Sequence, residues 1–222
     1  MLTVAFSQKG NKSEVNEDAC LSFPHLGLFV VADGVGGGPS GDLASRMVVN
    51  TVYETFRDGA VSEDAVVQSM CKANERIHRA AQEQNLKGMA STVVAGWQFG
   101  SRLICFNVGD SRLYRLRDGE MVQLSRDHTR AIQKAPNVLK QVVTNAVGIK
   151  PNLQVDVSHH DCQKGDLLLL MTDGISDLLD EEAILRVVLS SLSLAEKARA
   201  LVAESEQRGG QDDKTVILAQ LT

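Results

Sequence analysis

Two short apolar runs in this chain each end on an Asp-Gly pair, and an Asp-Asp pair lies near the C-terminus. Leu26 to Ala32 leads into Asp33-Gly34, and Leu167 to Thr172 leads into Asp173-Gly174. Gly209-Gly210-Gln211-Asp212-Asp213 precedes a last apolar run, Thr215 to Leu221. Runs this apolar and this short predict buried strands, so each Asp stands where a strand leaves the core. A lone carboxylate is costly to bury there, and several brought together repel one another unless a cation neutralises them. The chemistry expected is a divalent metal site built from oxygen ligands, suited to magnesium or manganese rather than zinc. Asp58-Gly59 and Asp118-Gly119 are the contrasting case: their flanks are polar, and turn chemistry accounts for them. Asp213 is expected to serve the turn or to face solvent. The adjacent pair His159-His160 points to opposite faces of an extended segment and is not expected to share a metal. Gly36-Gly37-Gly38 lacks the Lys-Ser/Thr of a phosphate-cradling loop.

The elements that must position these carboxylates follow from periodicity. Strands are expected at residues 2–7, 19–23 and 27–33, and a helix from about Asp42 with Ala44, Val48, Val52 and Phe56 on one face. A second helix starts near Ser62, a good N-cap, with Val66, Met70, Ala73, Ile77 and Ala80 along its buried stripe. Strands at 93–99, 102–108, 112–117 and 120–124 follow in hairpin connections, which forces antiparallel pairing. Further strands are expected at 153–158, 166–172 and 214–221, and helices near 180–190 and 194–207. Strands in hairpin groups and helices in pairs indicate α+β, with helices covering antiparallel sheets.

At 222 residues and with no linker or repeat, the chain is expected to form one domain over 1–222. A net charge of −5 argues against a general nucleic-acid or anionic-membrane binder. Cys20, Cys71, Cys105 and Cys162 form no Cys-x-x-Cys pair, so buried free thiols are expected rather than disulfides or zinc. The N-terminus has no signal-peptide pattern, and no apolar run approaches the roughly 18 residues of a membrane span. A reducing, cytoplasmic address is the expectation.

Several segments recur in a fixed order: Asn16-Glu17-Asp18-Ala19, Val31 to Gly37 continuing through Gly41 to Ser45, Ser91-Thr92, Asn107 to Arg112, Thr172 to Asp177, and Gly210 to Val216. Together they resemble the metal-dependent serine/threonine protein phosphatases of the PPM (type 2C) family, in its bacterial stand-alone form, over essentially the whole chain. The resemblance implies a four-layer αββα sandwich, two antiparallel β-sheets flanked by helix pairs. It implies two Mn2+ or Mg2+ ions and a weaker third. Asp33 would bridge two metals, the Gly34 carbonyl would bind the second, and Asp173 and Asp212 would complete the first. Glu17 and Asp18 would act on the adjoining shell, partly through water, and Asp110 would help hold the third ion. The implied reaction is hydrolysis of phosphoserine or phosphothreonine on proteins by a hydroxide bridging two metals, with no protein nucleophile. An opposing serine/threonine kinase and a monomeric state belong to the same picture.

The sequence departs from that family at three places. Ser13 stands where the family has an Arg that grips the substrate phosphate, and a hydroxyl cannot match a guanidinium's charged bidentate hold. Lys12 or Lys9 is the candidate replacement. Gly36-Gly37-Gly38-Pro39 has no His after the paired glycines, which passes the acid role to metal-bound water or another His such as His128. The stretch from Asp127 to Gly148 is short for the family's flap, which predicts an open site. Two rival functions follow: a phosphoprotein-binding regulator impaired in turnover, and a phosphatase acting on small molecules.

Overall fold

The computed structural model describes residues 1–35, 39–135 and 138–222, without the side chains of residues 39, 134, 135, 138 and 140. Strands β1 (Leu2–Gln8), β2 (Asp18–Phe23) and β3 (Leu28–Val35) open the chain, followed by helices α1 (Pro39–Phe56) and α2 (Glu63–Glu83). Next come β4 (Ala90–Ser91), β5 (Val93–Phe99), β6 (Arg102–Val108), β7 (Arg112–Arg117), β8 (Glu120–Gln123), β9 (Thr129–Ala135) and β10 (Val138–Val143). The chain ends through β11 (Asp156–Asp161), β12 (Leu167–Met171), α3 (Asp173–Ser176), α4 (Glu181–Val188), α5 (Leu194–Gln207) and β13 (Lys214–Gln220).

Two antiparallel sheets hold most of the strands. One runs β1-β13-β12-β7-β8 and the other β11-β6-β5-β3-β2, with β4 added to β3 and β9–β10 standing apart as a hairpin. Alternation along the strands shows how the sheets face. Leu28, Val30 and Ala32 pack in a cluster with Val48, Phe56, Met70 and Ile77 of α1 and α2. Phe29 and Val31 turn the other way, into a cluster with Leu168, Leu170, Ile217 and Ala219 of the second sheet. Leu167, Leu169, Val216 and Leu218 close a third cluster with Ile184, Val187, Leu201 and Val202 of α4 and α5. Helices therefore cover the outer faces, and the two sheets share a core between them.

Helix α1 begins at Pro39, three residues before the expected Asp42, and three later helices begin on capping side chains. Ser62 caps α2 by accepting from the Ala65 N–H, Asp180 caps α4 from Ala183, and Ser193 with Glu196 forms a capping box on α5. Some expectations need correction. The strand expected at 153–158 spans Asp156–Asp161, because pairing with β6 carries this edge strand past its apolar residues. The β9–β10 hairpin, β4 and the single-turn helix α3 were not expected. All four cysteines are free, but only Cys105 and Cys162 are buried; Cys20 and Cys71 are half-buried. No helix among the described residues is long and apolar enough to cross a membrane.

Candidate metal centre

The period of two that builds the core continues past the strand ends and builds the site. Asp33 lies on the same face of β3 as Phe29 and Val31, so it stands at the rim of the inter-sheet core. Its direct partner across the β2–β3 ladder is Asp18. Two carboxylates facing each other across a strand pair are repulsive. From the opposite sheet, Thr172 extends the Leu168–Leu170 face, and its hydroxyl donates to Asp18 Oδ2 (2.9 Å) while accepting from the Thr215 N–H (3.0 Å). Ser91-Thr92 fixes the backbone of Asp33: the Asp33 N–H donates to Thr92 Oγ1 (3.1 Å), and its carbonyl accepts from the Thr92 N–H (2.8 Å) and Ser91 Oγ (2.9 Å).

Glycines bring the remaining backbone segments together. A Cβ on Gly174 would stand 1.9 Å from the Asp213 carbonyl oxygen, and one on Gly34 would stand 2.3 Å from the Gly41 carbonyl. A Cβ on Gly41 would meet Glu17 Oε1 at 2.6 Å and the Gly34 carbonyl at 3.0 Å, so those two oxygens face the same point. Asp213, expected at the turn or in solvent, is buried (4% exposed) and serves the turn. Its Oδ1 accepts from the Gly10 N–H (2.7 Å) and its Oδ2 from the Glu17 N–H (2.6 Å), joining the C-terminal loop to the first acidic motif. Buried Lys214 donates to the Asp212 carbonyl (2.7 Å). Lys214 and Thr172 are supporting residues that the sequence reading missed, whereas Asp213 serves the turn as expected and only its burial was missed. Asp213 continues the β13 face of Thr215 and Ile217, which is the signal that could have found it.

The electrostatics are those of like charges held close. Burial, followed by repulsion from Asp18, Asp173 and Asp212, pushes the Asp33 carboxyl well above the usual range. Burial with Asp213 and Asp173 nearby pushes Asp18 up to about 8, against the pull of its Thr hydrogen bonds. Asp173 is raised by burial first and by Asp212 and Asp177 after that. Asp110, in the turn after β6, is pushed up to about 7 by burial and by Asp173 and Asp177. Asp18 Oδ1 and Asp173 Oδ1 are buried with no hydrogen-bond partner. An oxygen left bare in this way is what a hard cation satisfies, and the Asp, Glu and carbonyl groups gathered here offer oxygen donors. Among the described residues no three His, Cys, Asp or Glu side chains already surround one point as a metal cage. The fit to a divalent ion rests on the unpartnered oxygens, the repulsion and the donor type.

The two candidate phosphate-gripping residues differ. The Ser13 hydroxyl donates to the Val15 carbonyl (2.6 Å), while Lys12 Nζ reaches Asp212 Oδ2 (2.5 Å) at the edge of the cluster. Lys9 is turned to the carbonyls of Gly10 and Ser13. His128 is engaged at both ring nitrogens, by Gly109 and Asn145 on one side and Asp156 on the other. Gly36-Gly37-Gly38 lies outside the described residues.

The chain thus presents a double antiparallel sheet with paired outer helices and an acidic rim at one end. A family model described as protein phosphatase 2C matches residues 8–208, and the chain belongs to that family. It is similar to the serine/threonine phosphatase Stp of Listeria innocua, 29% identical over 211 residues that cover 87% of this chain and 84% of Stp. It is also similar to PppA, a key regulatory component of T6SS in Pseudomonas aeruginosa, at a TM-score of 0.88 and 32% identity, covering 100% of this chain and 97% of PppA. The catalytic domain of the serine/threonine phosphatase PstP, solved with two manganese ions, matches at a TM-score of 0.84 and 28% identity, over 99% of this chain and 97% of that domain.

Proposed function

We propose that the chain removes phosphate from phosphoserine and phosphothreonine of proteins, using two Mn2+ or Mg2+ ions and a weaker third. Asp33, the Gly34 carbonyl, Asp173 and Asp212 hold the pair, Glu17 and Asp18 support it, and Asp110 holds the third. The observation that supports this most is the crowd of raised carboxyls with bare Asp18 and Asp173 oxygens at one end of the sandwich. Divalent ions held there would supply an acidified attacking water and offset charge on the phosphoryl oxygens. The protein's own part is to hold those groups in place. Thr172 does this for Asp18, and Ser91-Thr92 does it for the Asp33 backbone.

Lys12 supplies the positive charge that the family draws from an Arg. Its ammonium lies at the cluster and is itself held charged, first by its hydrogen bond to Asp212. An exposed, flexible ammonium can exchange Asp212 for a substrate phosphate. Ser13, bonded to its own loop, takes no part. The setting is a cytoplasmic monomer opposed by a serine/threonine kinase.

The test is hydrolysis of a phosphothreonine peptide with manganese and with chelator, by the parent and by Ser13→Arg. Turnover that needs manganese, and a lower KM in Ser13→Arg, is expected. Equal turnover in chelator overturns the metal mechanism. The loss of the Arg also supports a second reading, a phosphoprotein-binding regulator. Tight peptide binding without turnover by either protein selects that reading.

A further inference from the structure

Beside the acidic cluster, at the root of the β9–β10 hairpin, lies a cleft of about 420 Å3 with a different charge balance. Arg126, His128, Asn145, Lys150 and Asp156 are among its walls. His128 ties it to the acidic end. Its backbone N–H donates to the Gly109 carbonyl (2.9 Å), and its Nδ1 accepts from the Gly109 N–H (3.3 Å) and from Asn145 (3.0 Å). With Nδ1 accepting, the ring proton sits on Nε2, 3.0 Å from Asp156. Asn107 fastens the other wall, donating to the carbonyls of both Gly109 (3.2 Å) and Arg126 (2.7 Å). The cleft is thus built on the residue next to Asp110.

Its charges are unevenly matched. Asp127 is held by Arg112 at 2.7 Å, and Asp156 is engaged by His128. Arg126 and Lys150 are exposed and form no ion pair with any described residue. Exposed cations of this kind hold a free anion weakly. An anion tethered to a group already bound next door arrives at a high effective concentration, and for it the same cations suffice.

We propose that this cleft reads an acidic side chain close in sequence to the phosphorylated residue of a protein substrate. The inference rests on the phosphatase reading above and adds a substrate class to it. Gly109, bonded by both His128 and Asn107, is the chain neighbour of Asp110, so the cleft adjoins the acidic cluster and lies along the way out for an extended peptide. Arg126 offers a planar fork to the carboxylate and Lys150 a second positive charge.

The test compares kcat/KM for phosphothreonine peptides carrying Glu or Ala at each flanking position. Glu at one position is expected to raise kcat/KM about tenfold, the scale of one partly screened charge-assisted contact. The Arg126→Ala/Lys150→Ala protein should treat the Glu and Ala peptides alike, and Arg126→Glu should shift the preference to Lys at that position. No preference in the parent, or a preference that survives the double substitution, overturns the proposal. If no phosphopeptide is turned over, the phosphatase reading fails, and the cleft is judged by nitrogen-15 NMR. Saturable shifts of the Asn107 and Asn145 side-chain amides with the Glu peptide, and none with the Ala peptide, support the cleft; their absence overturns it.

Discussion

The same dipeptide, Asp-Gly, occurs at the acidic end of the sandwich and at the tip of the β7–β8 hairpin, for unrelated physical reasons. At the acidic end, Gly34 and Gly174 have no room for a Cβ: other backbone lies within 2.3 Å and 1.9 Å of where it would be. Neither glycine is in the left-handed region. At the hairpin the relation is reversed. Asp118 and Gly119 have φ of 51° and 84°, and a Cβ on Gly119 would meet nothing within 4 Å. The first kind of glycine lets separate strands approach until their carboxylates repel. The second only reverses the chain.

The largest expected difference between the two kinds is in turnover. Asp173→Asn should lower manganese-dependent hydrolysis of a phosphothreonine peptide about a thousandfold, because it would remove the charge of a proposed metal ligand. Asp118→Asn should leave it unchanged. Parent-like turnover by Asp173→Asn would remove that residue from the site and collapse the contrast. Next in size is Gly174→Ala, whose new methyl must displace the Asp213 carbonyl. Asp213 also binds Gly10 and Glu17, so the shift spreads through three loops. A loss of about 3 kcal/mol or more in urea unfolding is expected, together with loss of activity.

Repulsion at the acidic end also sets a pH dependence that the hairpin lacks. Burial pushes the Asp18 carboxyl up to about 8 in the folded, metal-free protein, against an ordinary value of about 4 in the unfolded chain. Between those values the folded state binds the extra proton, so metal-free stability falls as pH rises from about 4 to about 8. Melting temperatures in chelator should decline across that window, and manganese should flatten the decline by neutralising the cluster. A metal-free melting temperature that rises through the window would mean that the carboxyls are not crowded.

Much of this architecture was legible because burial imposes a period. β3, β12 and β13 alternate between two cores, and α1 and α2 each bury one stripe, so their residues announce their places. The ligand candidates Asp33 and Asp173 were legible as charges ending apolar runs, and Asp212 as one of the acidic pair just before the last run. Where nothing is buried the signal fades. β9 and β10 expose Ile132 and Leu139, and no core pattern marks them as strands. Helix α3 is a single turn containing Gly174, too short for a periodic stripe and built on a poor helix former. The β11 segment misled in the opposite direction: Leu153, Val155 and Val157 alternate and pack on the core, while the paired strand runs on through His159 and His160. Supporting contacts such as Thr172 with Asp18 join residues far apart in sequence, and no local pattern encodes them.

The smallest effect is the one that tells the two kinds of glycine apart most cleanly. Gly119→Ala places a methyl in open space, so its cost is conformational only, about 1 kcal/mol for a left-handed alanine. Asn tolerates that region by bonding its own backbone, so Gly119→Asn should recover much of the loss, with activity unaffected by either change. At Gly174 the obstacle is another chain segment, and conformational tolerance offers no relief. Gly174→Asn should be at least as damaging as Gly174→Ala. Urea unfolding of the four proteins measures both pairs. If Asn rescues Gly174 as well as Gly119, the acidic-end glycine is a turn residue after all, and the close approach of the Asp173 and Asp212 loops does not depend on it.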